Sequence, residues 1–190
     1  MKTALRSTLN TAANTNDSST GTQRLTDRVV VFNDLVDSTP LLVELGDEAY
    51  TELLDQLDDA RIALLDAHDG RLASLAGDGA LMIFSTTDDA IACAIEFNEL
   101  CNDLGIMSRT GVHLGDVMQR RNGDLAGLTV HAAARIESTA PVGGVLVSAD
   151  AAERSSAQFV SWGWAELKGI PGATQLMELV ATAPDMRLAA

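Results

Sequence analysis

The stretch Arg28-Val-Val-Val-Phe-Asn-Asp34 is a short apolar run that closes on polar residues, which suits a strand buried on both faces. Downstream, Asp37-Ser38-Thr39-Pro40 is a helix-start cluster with a proline in the first turn. A longer helix is expected over 47–68. There Tyr50, Leu53, Leu54, Leu57, Leu64 and Leu65 fall on one stripe, while Asp47, Glu48, Glu52, Asp55, Asp58 and Asp59 coat the outside. Over 70–84 two apolar stretches flank Gly77-Asp78-Gly79, and an Asp-Gly pair between strand-like runs signals a hairpin. Residues 87–104 read as an amphipathic helix, 107–117 as a strand, Asn122-Gly123-Asp124 as a turn and 128–138 as a helix. Strand-like runs follow at 143–148, 159–167 and 175–180, and no internal repeat is present. Strands and helices mixed in this order predict an α+β sandwich, its antiparallel sheet covered by helices.

The chain has 190 residues, 27 acidic and 13 basic side chains, and a formal charge of −14. At 46% hydrophobic and 21% charged it can bury one substantial core, which excludes fibrous and fully disordered classes. The first 27 residues are rich in Ser, Thr and Asn and are expected to be a disordered tail or linker. They hold Lys2, Arg6 and Arg24 against Asp17 and Asp27, so the acidity belongs to the remainder. The expected organisation is one domain over 28–182, followed by a short tail over 183–190. Such acidity argues against nucleic acid and anionic membranes as partners, because both bind clustered Lys and Arg. The same charge would repel a phosphate ligand unless cations intervene. No apolar run reaches the length of a membrane span, no export signal is visible, and Cys93 and Cys101 lack metal-ligand spacing. Both are expected on one buried helix face, and a reducing cytoplasm fits them.

Two acidic residues stand where loose carboxylates are not expected: Asp34 at the end of a buried strand and Asp78 at a hairpin tip. If the hairpin pairs beside the first strand, both can converge at one sheet edge and bind hard cations through oxygen. Two carboxylates plus phosphate oxygens make a two-metal site for in-line displacement at phosphorus. The helix starting near Ser38, with Val36, Asp37 and Thr39 about its first turn, points free amides at the same place, suited to a polyphosphate. Taken alone, an Asp in a turn is ordinarily just a turn residue. His68 and His113 have no ligand partners at metal spacing and are read as structural. Trp162 and Trp164 alternate on a strand and are read as core or dimer contacts.

In context, the sequence resembles the catalytic domain of class III nucleotidyl cyclases. The matching blocks are Val30-Val-Phe-Asn-Asp34-Leu-Val-Asp-Ser-Thr39, then Gly70-Arg71 through Gly77-Asp78-Gly79 to Met82-Ile-Phe84, and Arg109-Thr-Gly-Val-His-Leu-Gly-Asp116. Gly127-Leu-Thr-Val-His131-Ala-Ala-Ala-Arg135-Ile-Glu137, Gly144-Val-Leu-Val-Ser148 and Leu167-Lys168-Gly-Ile-Pro171 complete the set. Six blocks in the family's order, spanning 29 to about 180, are far more specific than any one of them.

The resemblance implies a ferredoxin-like, palm-type domain working as an adenylyl cyclase that makes cyclic AMP and pyrophosphate from ATP. It implies two Mg²⁺ or Mn²⁺ ions held by Asp34, Asp78 and the Leu35 carbonyl, with the ribose 3′-oxygen attacking the α-phosphate. Arg135 matches the transition-state arginine, whose planar fork suits phosphate oxygens, and Lys168 matches a lysine that meets the triphosphate. The chain has 11 Arg and only 2 Lys, so a lysine at 168 stands out. Asp124 matches an acid that reads adenine: a carboxylate accepts from the N6 amino group and repels the O6 of guanine. Two positions depart from the pattern. Ser74 stands where an adenine-reading lysine is expected, and His131 where a ribose-orienting asparagine is expected. His131 lies four residues before Arg135, on the same helix face. The resemblance further implies a homodimer with shared sites, Asp34 and Asp78 coming from one copy and Asp124, His131, Arg135 and Lys168 from the other. His131 and Ser74 motivate a rival reading, a weakened cyclase-like module that binds nucleotide or dimerises. Guanylyl cyclase is a third.

Overall fold

A computed structural model describes residues 21–180. The chain runs β1 (Gln23–Leu35), α1 (Ser38–Leu45), α2 (Asp47–Ala67), β2 (Arg71–Ala76), β3 (Gly79–Phe84), α3 (Thr87–Asp103) and β4 (Ser108–Gln119). It continues through β5 (Leu125–Ala126), α4 (Leu128–Thr139), β6 (Val145–Ser148), α5 (Ala149–Ala152), β7 (Phe159–Glu166) and β8 (Ala173–Leu179). One sheet joins all eight strands in the order β2-β3-β1-β4-β6-β8-β7, with β5 paired to the end of β4. Every pairing is antiparallel except β4 with β6, where the intervening α4 supplies the crossover a parallel pair needs. This is the α+β, palm-type sheet covered by helices that the sequence implied.

The apolar run 29–32 reads as continuous because β1 is covered on both faces. Val29 and Val31 pack with Met82, Phe84, Val112 and Val147 against Ala90, Ile91 and Ala94 of α3. Val30 faces the other way, with Leu81 and Ile83, toward Ala133 of α4. β1 pairs with β3 on one side (Val31↔Met82) and β4 on the other (Val31↔Val112), which makes it a central strand. α4 lies so close to β4 that a Cβ on Gly111 would sit 2.1 Å from the Glu137 backbone nitrogen.

β1 starts at Gln23, so the expected tail over 1–27 extends too far. Residues 23–27 extend the strand, pairing Gln23 with Gln119 and Leu25 with Val117 before a register shift, and Arg24 forms an ion pair with Asp116. Polar composition alone hid this, because the pairing is exposed and its partners lie some 90 residues away. Residues 1–20 of that tail and the 183–190 tail lie outside the described residues. Trp162 and Trp164 are exposed and so are not core residues: β7 is the outermost strand, and the register shift between Ser161 and Gly163 falls at Trp162. The acidic face of α2 is solvated as expected, apart from half-buried Asp58. Cys93 and Cys101 are buried free thiols on α3, and burial with the nearby Glu96 charge pushes the Cys93 thiol up to about 11. Among the described residues no helix is long and apolar enough to cross a membrane.

Candidate active site

β1 and the β2–β3 turn bring Asp34 and Asp78 together. Asp34 stands next to last on β1, opposite Arg109 of β4. Asp78 occupies the two-residue turn after Gly77, whose φ of +66° is a left-handed conformation that glycine adopts without strain. A side chain at Gly79 would crowd the pair, since its Cβ would lie 3.0 Å from Asp34 Oδ1. Burial, then the neighbouring Asp78 charge, raises the Asp34 carboxyl above its ordinary value, while Arg109, the Leu35 backbone and Arg61 pull the other way. Asp78 Oδ2 is buried without a hydrogen-bond partner.

Other groups share this negative field. Glu137, 5% exposed on α4, is raised first by its own burial and then by Asp34, with Asp78 adding to the effect. Its Oε1 and Arg109 Nε are 3.7 Å apart, too far for a hydrogen bond, and neither atom has another partner. The Tyr50 hydroxyl is raised above its ordinary value by burial, then by Asp78 and less by Asp34, with Ser38 pulling the other way. From α2, Arg61 donates 2.6 Å to the Asp78 carbonyl.

Arg61, Arg109, Glu137 and Tyr50 were not singled out as site residues from the sequence. Arg61 left a readable trace, being a cation at a core position of the α2 stripe between Leu57 and Leu65. Arg109 and Glu137 become visible only once strand register and helix packing are known.

The remaining expected residues lie on the segment that follows Asp34, on α4, on β2 and in two turns. The Val36 amide is already used, donating to the Met107 carbonyl at 2.8 Å. Asp37 takes a left-handed conformation at the start of α1, whose N-terminus has no side-chain cap, leaving the amides of Ser38 and Thr39 for a ligand. The Leu35 side chain is buried, and that residue pairs with Ser108 at the end of β1. His131 and Arg135 are exposed one turn apart on α4, and Lys168 is exposed in the turn after β7. None of these three side chains makes a hydrogen bond or ion pair with another described residue. Ser74 is exposed on edge strand β2, just past a register shift. Asp124 accepts from Asn122 Nδ2 at 2.6 Å and lies 3.5 Å from Arg120, so its carboxylate is engaged within its own loop.

Among the described residues, no group of three or more His, Cys, Asp or Glu side chains could hold a metal ion. The Asp34–Asp78 pair nevertheless fits a hard divalent cation: two adjacent carboxylates repel each other, and one of their oxygens is buried without a donor. Backbone carbonyl or phosphate oxygens would have to complete the shell. With exposed cations on α4 and after β7, the arrangement suits chemistry at a polyphosphate.

No family model matches the chain. It is 33% identical over 153 residues to "Putative adenylate cyclase 3" of Rhizobium meliloti (strain 1021), a match covering 74% of this chain and 26% of that protein. The chain spans between a quarter and about a third of the length of the curated relatives it matches. Among solved structures, the adenylyl cyclase CyaB from P. aeruginosa superposes with a TM-score of 0.79 at 21% identity, covering 87% of this chain and 98% of that one. The catalytic core of a rhodopsin-guanylyl cyclase with converted specificity, in complex with ATPalphaS, gives 0.77 at 22% identity, covering 84% and 97%.

Proposed function

The chain carries a class III nucleotidyl cyclase catalytic domain, and from that premise we propose that it converts ATP to 3′,5′-cyclic AMP and pyrophosphate at sites shared by two copies. The observation that carries this reading is the division of the site. The carboxylate pair lies where the end of β1 meets the β2–β3 turn, with an unpartnered oxygen, and the cations that would face a triphosphate project unpaired from α4 and the turn after β7. A second copy that brings Arg135 and Lys168 opposite Asp34 and Asp78 supplies both halves.

Mg²⁺ or Mn²⁺, two ions per site held by Asp34, Asp78 and the Leu35 carbonyl, would lower the charge barrier to attack and departure at phosphorus. The amides of Ser38 and Thr39 donate to polyphosphate oxygens, aided by the positive end of α1. Arg135 spreads its fork over the α-phosphate oxygens, where negative charge grows in the transition state. Lys168 neutralises the departing pyrophosphate. His131 donates one imidazole N–H to orient the ribose, and Asp124, once released from Asn122, accepts from the adenine amino group beside Ser74. The domain acts in the cytoplasm, with its two buried cysteines reduced.

The rival reading is nucleotide binding or dimerisation with little turnover, and the presence of His131 and Ser74 favours it. One missing transition-state donor costs about 3 kcal/mol, roughly a hundredfold in rate. The test is incubation of the purified protein with ATP or GTP and Mg²⁺ or Mn²⁺, with chromatographic detection of cyclic product. Cyclic AMP from ATP supports the proposal, cyclic GMP alone moves it to guanylyl cyclase, and nucleotide binding without product supports the rival.

A further inference from the structure

Arg61 occupies a place in α2 that its chemistry does not suit. Leu57, Arg61 and Leu65 succeed one another on the buried face, and Arg61 is 1% exposed. Its guanidinium lies 4.7 Å from the Phe97 ring centroid, beside a cluster formed by Leu35, Leu57, Phe97, Cys101 and Ile106. An arginine in such a place is seldom favourable for the fold, since apolar residues often replace a buried ion pair without loss. Its contacts identify another use. One terminal nitrogen donates 2.6 Å to Asp58 one turn earlier on the same helix, and the other donates 2.6 Å to the Asp78 backbone carbonyl. Nε has no partner.

The turn it reaches is weakly held by anything else. Asp78 follows a glycine in a two-residue turn, and β2 on its far side is an edge strand with most residues exposed or half-buried. The Asp78 carboxylate cannot serve a cation unless its backbone is fixed relative to Asp34. The planar fork of arginine, pinned by Asp58 and lying over the Phe97 ring, fixes the carbonyl from beneath, while its charge works weakly against the Asp78 repulsion that raises Asp34.

We propose that Arg61 is a positioning residue that holds the Asp78 turn for divalent-cation binding, acting through the Asp78 carbonyl and touching neither cation nor nucleotide. This inference rests on the cyclase reading for its consequence in turnover but not for its consequence in cation binding. The experiment is titration of the full chain with Mn²⁺ alone, followed by the free-ion electron paramagnetic resonance signal, for wild type, Arg61→Met, Arg61→Lys and Asp78→Asn. Melting curves and cyclic-product assays accompany each protein.

The expected result is an Arg61→Met protein that still folds but binds Mn²⁺ about tenfold or more weakly than wild type. Arg61→Lys, which keeps the charge and loses the fork, is expected to fall between the two. Unchanged Mn²⁺ affinity in a folded Arg61→Met overturns the proposal. Should that variant fail to fold, unchanged affinity in Arg61→Lys overturns it and weakened affinity upholds it. Wild-type binding that Asp78→Asn does not weaken overturns it as well. Wild type that binds Mn²⁺ through Asp78 and loses it in Arg61→Met, yet forms no cyclic nucleotide, defeats the cyclase reading and leaves the role of Arg61 standing.

Discussion

Replacing Gly111 with alanine tests how tightly α4, the helix that carries His131 and Arg135, is seated on the sheet. The added Cβ would lie 2.1 Å from the Glu137 nitrogen, 2.4 Å from the Ala133 carbonyl oxygen and 2.7 Å from Glu137 Cα, where ordinary contact is 3.4–4 Å. All three atoms are helix backbone, so no rotamer relieves the clash and α4 must move away from β4 by more than an ångström. Overpacking of this kind usually costs 1–3 kcal/mol, and a contact with fixed backbone belongs at the top, about 3 kcal/mol. For a domain of this size that is a fall in melting temperature of roughly 6–12 °C. Gly172→Ala is the control: its φ of +80° strains an alanine, but nothing lies within 4 Å, so about 1 kcal/mol and roughly 2–4 °C are expected. Thermal unfolding by circular dichroism reads both. A shift of Arg135 by an ångström should also lower turnover about a hundredfold in the Gly111 variant. A Gly111→Ala protein that melts no lower than Gly172→Ala would refute the reasoning.

Glu137 holds its proton more tightly folded than unfolded, so the stability it contributes is complete below its ordinary value of 4.5 and is lost as pH rises through the raised value. Glu137→Gln should therefore melt higher than wild type near neutral pH, with the difference closing in acid; a uniform loss of stability at all pH values would contradict this. Burial raises both thiols, so Cys93 and Cys101 of the native protein should resist alkylation at mildly alkaline pH and react only on unfolding, as mass spectrometry can follow. Arg135→Ala should cut turnover about a hundredfold or more without changing the melting temperature, because the side chain is exposed. His131→Asn should raise turnover several-fold by restoring an amide donor; a drop would make His131 an adapted catalytic group.

Much of the fold was legible because its signals are local. The run 29–32 alternates between two buried faces, the α2 stripe runs from Tyr50 to Leu65, and Gly77-Asp78 turns a hairpin. The start of β1 at Gln23 was not legible, since a polar segment becomes a strand only through pairing with Val117–Gln119 far along the chain. The Asp34–Asp78 pair was readable from a strand end and a turn. Its surroundings were not: Glu137 reaches it through the close approach of α4 to Gly111, and Arg109 through register alone. Arg61 was readable in principle, as the one charge on an apolar stripe. Val36 was expected among the substrate contacts, but its amide is spent on Met107, a long-range bond that spacing does not reveal.

A mixing measurement tests most directly whether the site is divided between two copies. Asp78→Asn lacks half of the carboxylate pair and Arg135→Ala lacks the facing cation, so each protein alone should be inactive with ATP and Mn²⁺. Combined and allowed to exchange subunits, they should regain a substantial fraction of wild-type cyclic AMP formation, because a mixed pair assembles one intact site from one protomer's Asp34 and Asp78 and its partner's Arg135. Two folded, exchanging variants that remain inactive together, beside an active wild type, would contradict a site divided between two copies.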